Sequence, residues 1–233
     1  FPFNSLSFGQ ISVNIMFEFY KRGLAPNTFV IGNGIDISAY DKLTEDFKQY
    51  LNSCLNKALK FYKKDVPYVK LWHLQNSWFK VSEPSYLITF VEVDSLTEIE
   101  VNIANSYTKI FVTSNFSKRV FEDSGVKIPV IFMPMGIDSL HFKRTNKKYY
   151  DDGSIVFLIA GKAEIRKNHI FAIQKWIEKF GNDKKYRLNL CINNSFFSPE
   201  QMNGFYAQVF KNEKPAFNVN ILPFQTTNSL YNE

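Results

Sequence analysis

The sequence predicts an α/β fold built from two doubly wound parallel sheets. Three observations predict it. Short β-branched or aromatic runs alternate with amphipathic helical stretches along the whole chain, with no repeat of fixed period. A charged stretch at 143–153 lacks apolar periodicity, and the alternation restarts after it at Ile155. The chain has 233 residues, 45% of them hydrophobic, which is enough to bury two cores.

The elements follow in order. Phe1-Pro2-Phe3 reads as the tail of a strand, and 4–10 as a small polar loop. Ile11, Ile15, Met16 and Phe19 share one face of a helix that stops at Gly23. Thr28–Ile31 reads as a short strand ending in Gly32-Asn33-Gly34. A long helix over about 43–63 carries the stripe Leu43, Phe47, Leu51, Cys54, Leu55, Ala58 and Tyr62. Strands are expected at 68–72 and 86–90, a helix at 97–104 and a strand at 109–113. Ser114 to Ser117 then cap a short helix ending at Gly125. Ile128–Met133 is a strand with Pro129 near its start, which suits an edge or terminal position. Ile155–Ala160 is a continuous apolar run, as in strands buried on both faces of a parallel sheet. A helix with the stripe Ile170, Ile173, Ile177 and Phe180 follows. Next come a strand at 186–192, a helix at 199–211 and a strand at 219–222.

The net charge is +6, from 28 Lys plus Arg against 22 Asp plus Glu. Dispersed lysines of this kind read most simply as a solvated surface and are also compatible with binding phosphates. Cys54 falls on an apolar helix face and Cys191 in a strand, without zinc or redox spacing, so both read as reduced core residues of a cytosolic protein. No apolar run reaches the ~18 residues of a membrane span. His141 and His169 read as surface or cap residues.

Ligands of doubly wound sheets sit at the carboxyl ends of the strands, so the loops after strands are the place to search. The richest is 161–168. Gly161 lets the backbone turn, and Lys162, Arg166 and Lys167 place positive charge where a helix is expected to start. The glycine-rich Walker pattern is absent, and a solvated basic helix start is the plain alternative.

An ordered set of pieces carries a family resemblance. It consists of Ser114-Asn115-Phe116-Ser117-Lys118, Phe121 with Ser124-Gly125-Val126, Val130 through Pro134-Met135-Gly136-Ile137-Asp138, Phe142, a linker, and Gly161-Lys162 followed by Lys167-Asn168. In order and spacing this resembles the family 4 glycosyltransferases of the GT-B fold, from about Ile110 to Ala172 and more weakly over the whole chain. The resemblance implies two Rossmann-like domains: an acceptor-side domain at 1–142, a linker at 143–153, and the first half of a donor-side domain at 154–233. It implies that Lys162 and Lys167, with Arg166 and Gly161, hold the donor's diphosphate. Lys162 stands where the family has Arg, which keeps the charge but loses the bidentate fork. Met135 also departs from the small polar residue or His common at its position. Gly9 corresponds to the loop that faces the donor and acceptor, and His73 and Glu92 are the candidates for catalytic groups on that side.

The implied activity is transfer of a hexosyl unit from a nucleotide-sugar to an acceptor hydroxyl with retention. It needs no metal and no cofactor, since the nucleotide-sugar is a substrate. The acceptor would be a glycan, lipid or protein, and the location cytoplasmic, with room for peripheral membrane contact. Relatives carry two further βα units with a pair of glutamates that grip the donor. The chain alone is therefore expected to be inactive or weakly binding. A noncatalytic GT-B relative that binds a nucleotide or glycan is the main alternative. A nucleic-acid-binding module is disfavoured, because the lysines are dispersed and no aromatic-studded RNA-binding motif occurs.

Overall fold

The computed structural model describes residues 1–4, 6–32, 34–37, 43–61, 63–137, 153–194 and 196–222. The chain divides into two compact units, Phe1–Asp138 and Ser139–Glu233. Except for Gly153, the expected linker at 143–153 lies outside the described residues, as do Tyr62, Asp138, His141 and Phe142.

The first unit holds helices α1 (Ser7–Lys21), α2 (Glu45–Lys60), α3 (Glu98–Asn105) and α4 (Asn115–Asp123). Its sheet is formed by β1 (Tyr68–Leu71), β2 (Ser85–Thr89), β3 (Lys109–Val112) and β4 (Val130–Phe132), all parallel and in chain order. Right-handed crossovers between strands laid out in chain order return on one face. Accordingly α3 and α4 cover Leu87, Ile110 and Val112 on that face, with Leu74, Ala104 and Phe121. The opposite face, with Leu71 and Ile88, packs against Phe8, Ile11 and Ile15 of α1. A third cluster of Val13, Met16, Phe47, Leu51 and Cys54 joins α1 to α2. The helix starts follow their sequence signals. Thr97 and Glu100 form a reciprocal cap on α3, and the Thr44 and Ser114 hydroxyls accept the Phe47 and Ser117 amides.

The strand expected at Thr28–Ile31 is not a continuous strand. The Phe1 amino group donates to Phe29 O at 2.7 Å and Ile31 N donates to Phe1 O at 3.0 Å. A parallel bridge then joins Phe3 to Ile35. Between these contacts Gly32 (φ 105°) and Gly34 (φ 156°) adopt backbone conformations that interrupt pairing.

The second unit holds a parallel sheet of β5 (Ile155–Lys162), β6 (Tyr186–Asn193) and β7 (Val219–Ile221), again in chain order, with helices α5 (His169–Phe180) and α6 (Pro199–Val209). The crossover rule sends both helices to one face, where Ile173, Trp176 and Val209 pack on Leu188, Leu190 and Ile192. This corrects the reading of Ile155–Ala160 as buried on both faces. Among the described residues β5 is an edge strand while β6 takes the centre: Phe157 packs on Trp176 and Phe180 of α5 yet stays part-exposed at the edge, and Leu158, on the opposite face, is exposed.

Leu190→Ala should therefore cost about 2–5 kcal/mol in urea denaturation. Leu158→Ala, at a side chain already 42% exposed, should cost less than half as much. Equal losses would show that β5 is covered in solution.

Candidate functional site

Each unit brings candidate residues to the carboxyl edge of its own sheet. In the first unit, His73 follows β1 and opens a short 3-10 turn, Leu74–Asn76, with its carbonyl accepting from Ser77 Oγ at 2.7 Å. Its ring packs edge-on against Phe8 of α1 with centroids 4.6 Å apart, and lies 5.3 Å from the Trp72 ring. Phe8 also meets Phe90, just past β2, at 4.9 Å. One aromatic side chain at the start of α1 thus gathers the ends of two strands. Burial against these rings pushes the His73 pKa below its usual 6.5, and the negative charge of Glu92 pulls it part of the way back. Glu92 itself is exposed. The two candidates from separate strand ends therefore act on each other electrostatically.

Gly9 lies in the first turn of α1, which begins at Ser7, and not in a loop as expected. It is buried, and a Cβ there would run into the backbone oxygen and nitrogen of Asn4. Asn4 Oδ1 accepts from Leu6 N at 3.0 Å, folding the chain back so that strand tail and helix start touch. Close backbone packing is thus a sufficient reason for glycine at position 9.

In the second unit, Gly161 and Lys162 are the last residues of β5, and Gly161 has φ 131°, a conformation that favours glycine. A Cβ there would lie 3.3 Å from Lys167 Nζ, so the ammonium group sits directly over the bare backbone. Lys167 ends a 3-10 turn, Ile165–Lys167. Asn168 follows with φ 52°, and α5 begins at His169. Lys167 therefore stands one residue before the junction and not on α5 itself, because the left-handed Asn168 breaks the path. Lys162 and Arg166 do not stand free. Lys162 Nζ lies 2.9 Å from Glu164 Oε1, and Arg166 Nη2 lies 3.1 Å from Glu164 Oε2. The hydrogen bond from Lys162, followed by the charges of Lys162, Arg166 and Lys167, holds the Glu164 carboxyl below the usual carboxylate range. Three cations thus surround one carboxylate, which leaves a positive excess over Gly161. Lys162 Nζ also lies 4.5 Å from the centre of the Phe196 ring.

Sequence reasoning missed the residues that brace this turn. His169 is buried, contrary to its reading as a surface or cap residue, and its Nε2 lies 3.1 Å from Lys162 O. A carbonyl only accepts, so Nε2 carries the hydrogen. Asn194, past the end of β6, is buried. Its Nδ2 donates to Ala163 O at 3.0 Å, and its Oδ1 accepts from Phe196 N at 3.1 Å. Ala163 N donates to Asn193 O at 2.9 Å. The one sequence signal for these braces is their place after β6, next to the loop after β5. Among the described residues no group of His, Cys, Asp and Glu is arranged to hold a metal ion, and no helix is long and apolar enough to cross a membrane. No family model and no curated protein matches the sequence.

His73 should titrate below 6.5 when its ring protons are followed by NMR against pH, and Glu92→Gln should lower the midpoint further. The sign for stability follows. Below pH 6.5 the unfolded chain takes up a proton that the folded chain refuses, so the His73 contribution is complete above 6.5 and is lost as pH falls towards the depressed value. A midpoint at or above 6.5 would show that burial against the aromatic rings does not outweigh the charge of Glu92, and an unchanged midpoint in Glu92→Gln would show that Glu92 does not act on the ring.

Proposed function

We infer that the chain carries the acceptor-side unit and the donor-diphosphate turn of a glycosyltransferase. It would pass a hexosyl group from a nucleotide-sugar to an acceptor hydroxyl with retention. The observation that carries the reading is the Lys167 ammonium poised over the Cβ-free turn at Gly161, with Lys162 and Arg166 beside it at the carboxyl end of β5. A diphosphate needs close backbone approach and fixed cations, and the turn offers both. As the glycosidic C–O bond breaks, negative charge grows on the leaving diphosphate. Cations aimed there stabilise the transition state more than the ground state. Glu164 orients Lys162 and Arg166 before the donor arrives, and the incoming phosphates compete with it for them. The ordered motif set from Ser114 to Asn168 supports the same reading.

The experiment is calorimetric binding of a panel of UDP-, GDP- and ADP-hexoses with a polynucleotide control, followed by transfer assays. Lys167→Ala should weaken nucleotide-sugar binding by about tenfold or more. Where transfer is measurable, it should cut turnover by about two to three orders of magnitude. Lys162→Arg should be tolerated, and Glu164→Gln should tighten binding by releasing two cations. Unchanged binding and transfer in Lys167→Ala would return the turn to a purely structural role.

A further inference from the structure

The loop after β6 places an aromatic ring beside the basic turn. Phe196 lies just past the end of β6 and is 68% exposed. Single exposed apolar side chains are ordinary on a protein surface. This one is set apart by its mounting and by its neighbour. Phe196 N donates to Asn194 Oδ1 at 3.1 Å, and Phe197 N donates to Asn194 O at 2.9 Å. Asn194 is buried, and its Nδ2 donates to Ala163 O at 3.0 Å, so one side-chain amide ties the backbone of Phe196 to the loop that follows Gly161. The segment is fixed again just beyond, where Ser198 and Gln201 cap α6 reciprocally. The backbone that carries the ring is therefore held while the ring itself stays exposed, and its ordering cost falls on folding and not on binding. The neighbour is Lys162, whose Nζ lies over the ring, 4.5 Å from its centre.

We propose that Phe196 is a stacking platform for the nucleobase of the ligand whose diphosphate the Gly161 turn holds. This rests on the diphosphate reading of the turn and adds the chemistry of what lies beyond the phosphates. A phosphate oxygen bonded to the Lys162 ammonium at about 2.8 Å stands within roughly 7 Å of the ring centre. A ribose bridges a gap of that size between a phosphate and its base. Lys162 thus serves both halves of the ligand, since the same ammonium that meets the phosphates keeps the ring beside them. Stacking needs no hydrogen-bond code, because every base has a π-face. Phe196 therefore adds affinity for a nucleotide over a bare diphosphate without selecting one base. Purines, with the larger face, gain more from it than pyrimidines.

The test is calorimetric binding of inorganic pyrophosphate, ADP and UDP to the whole chain and to its Phe196→Ala and Phe196→Trp variants. The side chain lies outside the buried core, so neither variant removes core packing. Phe196→Ala should weaken ADP by about tenfold and UDP by less, and leave pyrophosphate unchanged. Phe196→Trp should keep the affinity for ADP. Its added indole should be quenched by ADP and not by pyrophosphate, beyond any response of the three tryptophans already in the chain. An equal loss of pyrophosphate and ADP in Phe196→Ala would show that the ring acts only through Lys162 and would overturn the platform. Unchanged ADP binding in Phe196→Ala, with pyrophosphate bound, would overturn it too and leave the diphosphate reading standing. Failure of pyrophosphate, ADP and UDP alike to bind would overturn the diphosphate reading of the turn, and the platform with it.

Discussion

The right-handed crossover between parallel strands governs most of this molecule. In both units the strands stand in chain order, so every crossover turns the same way and its helix lands on the same face. The consequence differs between the units. In the first, α1 precedes the sheet and fills the face that α3 and α4 leave open, so β2 is buried on both sides. In the second, α5 and α6 share one face, and Leu158 on the other side of β5 stays exposed. The same rule delivers the loop after each strand to one edge of its sheet. That is why His73 comes within electrostatic reach of Glu92 at one edge, and why the Gly161 turn meets Asn194 at the other.

The Gly161 turn shows how a backbone can be prepared for an anion without a long glycine-rich loop. One glycine at a conformation closed to most residues leaves bare backbone, and the left-handed Asn168 shapes the approach to α5. Buried side chains hold the turn on both flanks, His169 from the helix and Asn194 from the neighbouring strand end. Glu164 balances the cations and fixes their directions, at the cost of competing with any anion for them. For the proposed diphosphate role this is the working compromise, because preorganised cations stabilise developing charge without reorganising during the reaction.

Individual exposed ion pairs contribute little, so burial and not surface charge holds α2 in place. The apolar stripe of Phe47, Leu51 and Cys54 holds one side of the helix in the core.

Local sequence determined the element types, their order and most boundaries, because hydrophobic period and capping chemistry act within a few residues. The capped starts at Thr97 and Ser114 and the parallel alternation were legible for that reason, and so was Gly161 at the end of a strand. Tertiary structure decided what depends on neighbours distant in the chain. Whether Ile155–Ala160 is central or at an edge turns on which strands pair with it, and an apolar run reads the same in either position. Gly32 and Gly34 show the converse, since a β-favouring run such as Thr28–Ile31 cannot reveal that pairing will break just beyond it. Gly9 was legible as a small residue near a ligand loop, but its contact with Asn4 appears only when strand tail and helix fold together. The charges of Lys162, Arg166 and Lys167 were visible as a list. Only the fold decided that Glu164 lies among them, that His169 turns inward, and that Asn194 braces the turn from another strand.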